Sequence, residues 1–111
     1  MKRQIAPLAA TTDALFLLGT QIREGRINLG WTQTDLAERL GVAPATVRAM
    51  EAGKPSTAIG TVFNACVLLH VPLFGVEDKA ELARMRLRGE ERIALLTRRV
   101  RPKTVEVDDD F

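Results

Sequence analysis

Apolar residues recur at helical spacing along most of the chain. Leu15, Leu18 and Ile22 form one stripe and predict a helix that begins near Thr12 or Asp13 and ends at Gly30. Leu36 and Leu40, four residues apart, predict a second, short helix, and Val47 with Met50 a third. Ile59, Val62, Phe63, Cys66 and Leu69 mark a fourth, which should close the core, with Ser56 or Thr57 as its cap. The segment 71–76 reads as a short strand or an extended turn. From 78 to 99, Leu82, Met85, Ile93 and Leu96 give a narrow apolar stripe on a highly charged helix that hesitates at Gly89. The pattern is all-α.

The punctuation between the second and third helices is the most specific local signal. Thr32 followed by Asp35 is a Thr-x-x-Asp variant of the capping box, which satisfies orphan amides of a first helical turn. Ala37 is small where a second helix must approach. Gly41 suits the left-handed position that ends a helix, and Val42 reads as a buried plug. Pro44 suits the first helical position, where a missing amide costs nothing. Ala43 is then the N-cap, and a poor one. Around the third helix Val47 and Met50 face inward, while Ala45, Arg48, Ala49 and Ala52 cluster outward with Pro44 at the leading edge. If this helix enters a DNA groove, Arg48 is the only long hydrogen-bonding side chain on that outer face, and arginine to guanine is the commonest specific contact. The plainer alternative is an ordinary helical hairpin in a small bundle.

The run WTQTDLAERLGVAPATVRAMEAG, residues 31–53, closely resembles the lambda-repressor-like (Cro/C1, or Xre) helix-turn-helix family, and the resemblance extends from about Leu18 to Leu69. Gln33, Ala37, Gly41, Val47 and Met50 stand at that family's characteristic positions. The resemblance implies a phosphate grip by Gln33 and base reading from Pro44, Ala45 and Ala49. Those three are apolar here, which moves weight onto Arg48, Thr46, phosphate contacts and DNA shape. The implied DNA-facing set is Thr32, Gln33, Thr34, Pro44, Ala45, Thr46, Arg48, Ala49 and Lys54, with Gln33, Thr34 and Lys54 on phosphates. For Lys54 simple solvation is the competing reading. The resemblance also implies a partly buried ion pair between Arg26 and Glu51, against the alternative of two exposed charges.

A narrower resemblance lies downstream. STAIGTVFNACVLLHVPLF and the ending VDDDF look like HipB-type antitoxins. That implies a homodimer that binds its own operator and holds a HipA-like kinase toxin.

Net charge is only +2. Between Arg23 and Lys54, five basic residues face four acidic ones; between Asp78 and Lys103, nine face four. Electrostatic attraction to DNA should therefore come largely from outside the two short helices and be steeply salt-dependent. The start, MKRQIAPLAATTDALFLLG, mimics a signal peptide only loosely, because Pro7 and Asp13 interrupt the apolar run. No run is long enough for a membrane span. A single cysteine, Cys66, excludes an internal disulfide and a Cys-rich zinc site, and fits a reducing cytoplasm. Cys66 reads as a core residue, with a redox thiol as the minor reading. His70 has no second histidine with which to share a metal, and no nucleophile–base pair stands out, so no metal, cofactor or enzyme is expected.

The expected architecture is an all-α, five-helix lambda-repressor-like DNA-binding domain with an extra C-terminal basic helix and an acidic tail. Residues 1–11 form a flexible arm, with phosphate contact by Lys2 and Arg3 as the alternative reading; 12–76 form the DNA-binding domain; 77–99 form a helix for dimer or partner contact. Residues 100–111 form a disordered acidic tail, or one that docks on a basic partner. The expected function is a homodimeric repressor on double-stranded operator DNA, the autoregulating antitoxin of a HipA-like kinase. The alternatives are a toxin-neutralising interaction module with secondary DNA binding, and a phage or plasmid repressor without a toxin.

Overall fold

The computed structural model describes residues 6–99. Five helices follow one another: α1 (Ala9–Asn28), α2 (Gln33–Leu40), α3 (Pro44–Glu51), α4 (Ile59–Leu68) and α5 (Lys79–Arg99). The fold is all-α, and the five helices include the C-terminal basic one. The chain divides after Glu77 into two compact units, α1 to α4 in the first and α5 in the second. Lys2, Arg3, VDDDF and the 100–111 tail lie outside the described residues.

In the first unit each helix presents a few apolar side chains to one core. Ile22 comes from α1, Leu36 and Ala37 from α2, Val47 and Met50 from α3, and Ala65 and Cys66 from α4. Leu69 and Val71 close it from the turn after α4. Complete burial of a side chain such as Leu36 or Val47 contributes roughly 1.5–3 kcal/mol. Cys66 is a buried member of this core, and burial pushes its thiol pKa up, which disfavours the reactive thiolate.

Several boundaries differ from the sequence reading. α1 starts at Ala9, not near Thr12 or Asp13, so residues 9–11 belong to a helix and not to an arm. Leu8 occupies its N-cap without a side-chain hydrogen bond; two alanines, the best helix formers, carry the helix outward past the threonines. Neither Ser56 nor Thr57 caps α4. Its N-cap is Ala58, and the Thr57 hydroxyl instead donates to the Lys54 carbonyl at 2.9 Å. Ile59 stays 70% exposed at the first position of α4, and Ala65 takes the core place instead.

Of the two readings of residues 71–76, a short strand or an extended turn, the structure shows a turn. Leu73 and Val76 exchange both backbone hydrogen bonds, at 3.0 and 3.1 Å, around Phe74 and Gly75, which both have positive φ. That is a minimal hairpin turn of the mirror-image type. Phe74 meets Phe63 edge to face with 6.2 Å between ring centroids.

α5 runs unbroken through Gly89. A glycine inside a helix costs about 1 kcal/mol relative to alanine. Charged pairs along the surface offset part of that: Glu81 accepts from Arg84 at 2.9 Å and from Arg88 at 3.1 Å, and Arg86 pairs with Glu90 at 2.8 Å. Asp78 accepts from the Ala80 amide at 3.0 Å and so steadies the helix start.

Candidate nucleic-acid interface

α2 and α3 are set by local chemistry first. At the start of α2, the Thr32 hydroxyl accepts from the Asp35 amide at 3.0 Å, and the Asp35 carboxylate accepts from the Thr32 amide at 2.9 Å. This closed capping box holds the Asp35 carboxyl below the usual range, through the Thr32 backbone amide first and the hydroxyl second. Gly41 ends the helix at φ 72°, a left-handed backbone that an L side chain resists. Pro44 opens α3, and the Ala43 N-cap offers no side-chain acceptor.

The tertiary frame then fixes the orientation of α3. The Glu51 carboxylate, at the C-terminal end of α3, accepts from Arg26 Nε at 2.6 Å, Arg26 Nη2 at 3.0 Å and Gln33 Nε2 at 3.0 Å. Arg26 Nη1 donates onward to the Trp31 carbonyl at 2.9 Å. The two charged side chains are only 10% and 4% exposed. The guanidinium of Arg26 is stabilised in its charged form, mainly by the hydrogen bonds to Glu51. One carboxylate thus ties α1, α2 and α3 together. The Arg39 guanidinium lies over the Trp31 ring at 4.1 Å, so Trp31 is packed and covered at the junction between α1 and α2.

Gly19 is the residue in this frame that sequence reasoning missed. A Cβ there would stand 2.6 Å from the Glu51 carbonyl oxygen and 2.7 Å from that of Met50. The absent side chain lets α1 press against the last turn of α3. The available signal was a glycine in the middle of the Leu15, Leu18, Ile22 stripe, where helix propensity alone disfavours it.

The outward surface has Pro44, Ala45 and Arg48 exposed on α3, Thr32 and Thr34 exposed at the start of α2, and Lys54 exposed after α3. Gln33 is half-buried, its amide engaged with Glu51. Thr46 and Ala49 are also half-buried. They line a shallow groove beside α3 with Ala45, Ser56, Thr57 and Thr61, so hydroxyl groups of the following loop and α4 border the helix. Those hydroxyls were not legible from helix periodicity, because they belong to another element. Among the described residues, no group of three or more His, Cys, Asp or Glu could hold a metal ion, and no helix is long and apolar enough to cross a membrane.

No curated protein and no solved structure matches the chain. Residues 22–76 match the family model described as Helix-turn-helix, which covers the last turns of α1 from Ile22, the α2-turn-α3 unit, α4 and the Leu73–Val76 turn. Residues 22–76 therefore carry a helix-turn-helix domain, which supports the lambda-repressor-like (Cro/C1) resemblance and a role in DNA-binding transcriptional regulation.

Proposed function

We propose that this protein is a cytoplasmic, homodimeric transcriptional repressor that reads a specific operator with α3. The observation that carries the reading is the capped α2 and the exposed Pro44, Ala45 and Arg48 of α3, held in one orientation by the Arg26–Glu51–Gln33 network. On this reading each copy inserts α3 into the major groove of one half-site. Arg48 donates to a guanine edge, Pro44, Ala45 and Ala49 meet thymine methyls, and Thr46 meets the adjoining base or backbone. Thr32, Gln33, Thr34 and Lys54 hold phosphates. Residues 9–77 act as the DNA-binding part and 78–99 as the dimer or partner contact.

The narrower reading is an autoregulating antitoxin of a HipA-like kinase, supported by the HipB-like run of residues 56–74. A toxin-neutralising module with secondary DNA binding is the second reading; the alanine-rich outer face of α3, poor in polar base contacts, favours it. Selection of bound duplexes from a random library tests the repressor reading. An enriched, two-fold symmetric site supports it, and binding without sequence preference overturns it. A HipA-like kinase gene adjacent to this one, with formation of a stable complex, supports the antitoxin reading.

A further inference from the structure

The proposed homodimer leaves open which surface joins the two copies, and α5 carries an unusual pattern that bears on this. Gly89 stands in the middle of the helix, where glycine is disfavoured, yet a Cβ there would meet nothing within 4 Å. No packing among the described residues requires it. A shallow hollow lies over it, bordered by Arg86, Glu90, Arg92, Ile93 and Leu96. Ile93 and Leu96 are 61% and 46% exposed.

Four of the apolar positions are symmetric about this glycine, while Leu87 and Leu95, 49% and 60% exposed, lie on other faces of the helix. Leu82 and Leu96 lie seven residues before and after it, and Met85 and Ile93 four before and after. At about 100° per residue, all four fall within roughly 40° of the Gly89 direction. A stripe that reads the same in both directions is self-complementary under a two-fold axis perpendicular to the helix.

We propose that α5 is the dimer seam, pairing antiparallel with α5 of a second copy about an axis through Gly89. This rests on the homodimer reading above and gives it a surface. Leu82 then packs against Leu96 of the second copy and Met85 against Ile93, while the two glycines let the backbones approach at the centre. The charges agree on one edge. Arg86 and Glu90, already joined at 2.8 Å, lie on the same side, and the two-fold axis brings the second copy's Glu90 beside Arg86. Four charges alternate there. The other edge carries Arg88 and Arg92; the Arg88 bond to Glu81 at 3.1 Å tempers their repulsion. The dimer therefore has one balanced edge and one basic edge, which is suited to a polyanion.

Sedimentation of the full-length protein, with oxidative cross-linking of variants, tests the seam. A mixture of Leu82→Cys and Leu96→Cys proteins should cross-link, and neither should do so efficiently alone; Cys66 is buried and contributes little background. Ile93→Glu with Leu96→Glu should weaken dimerisation at least tenfold while the circular dichroism of the first unit's helices persists. Glu90→Arg should weaken it too, and adding Arg86→Glu should restore it. Efficient self-cross-linking of Leu82→Cys would overturn the antiparallel arrangement. A dimer unaffected by the Ile93/Leu96 change would place the seam elsewhere and leave the homodimer reading standing. A wild-type protein monomeric both free and on DNA would overturn both.

Discussion

Arg26 and Glu51, twenty-five residues apart, meet as a two-pronged ion pair with N–O distances of 2.6 and 3.0 Å. The pair is nearly closed to solvent and shares its carboxylate with Gln33. Replacing Glu51 with alanine leaves the Arg26 charge buried and unpartnered. The expected loss is roughly 3–5 kcal/mol, read as a lower thermal midpoint. A melt unchanged by Glu51→Ala would overturn the structural role given to this pair.

Gly19 supports the same junction by having no side chain. Gly19→Ala raises helix propensity, but its methyl meets two backbone carbonyls at 2.6 and 2.7 Å. Backbone cannot give way as a flexible side chain does. A net destabilisation of about 1–3 kcal/mol is expected in denaturant titration. A stabilised Gly19→Ala protein would show that α1 and α3 do not meet this closely.

α3 begins without a side-chain cap, since Ala43 has an extended backbone and no acceptor. Ala43→Ser supplies an oxygen for the amides of the first turn. It should stabilise the fold by about 1 kcal/mol, visible as a higher thermal midpoint. No gain would mean that these amides are already satisfied by solvent at no cost.

The capping box should make stability depend on acidity. The Asp35 carboxyl is held below its ordinary pKa in the folded state. Its contribution is therefore complete above the unfolded pKa and is lost as pH falls through the folded one. Wild type should melt above Asp35→Ala at neutral pH, and the gap should close in strong acid. A gap that is constant with pH would mean that the carboxylate charge plays no part in the cap.

Arg48 is exposed, so removing it should leave folding intact and isolate recognition. For Arg48→Ala the expected cost in operator binding is roughly 1–3 kcal/mol, with relaxed preference at one base pair. Titration against the selected site and its single-base variants measures both. Unchanged affinity and selectivity would move recognition onto shape and phosphate contacts.

The α2-turn-α3 unit was legible in the sequence because its instructions are local. A cap and its partner three residues on, a glycine at the left-handed turn and a proline at the first helical position act within a few residues of one another. They need no distant partner to take effect. Residue periodicity likewise placed Leu36, Val47 and Met50 in the core, since a helix fixes which positions share a face. Local signals were weakest where they competed: alanines carried α1 back to Ala9, and the Thr57 hydroxyl served its own turn instead of capping α4.

By itself, then, the sequence determined the helices, their inward faces and the turn that joins α2 to α3, because each depends on backbone preferences and spacing within one segment. The family resemblance implied the Arg26–Glu51 pair, but only the tertiary structure decided the geometry that orients α3. The three hydrogen bonds onto Glu51, the close approach allowed by Gly19 and the hydroxyl-lined groove beside Thr46 and Ala49 all join residues far apart in the chain. Such contacts exist only after the helices have packed, when low solvent exposure and angström-scale distances, and no longer sequence spacing, set which groups can meet.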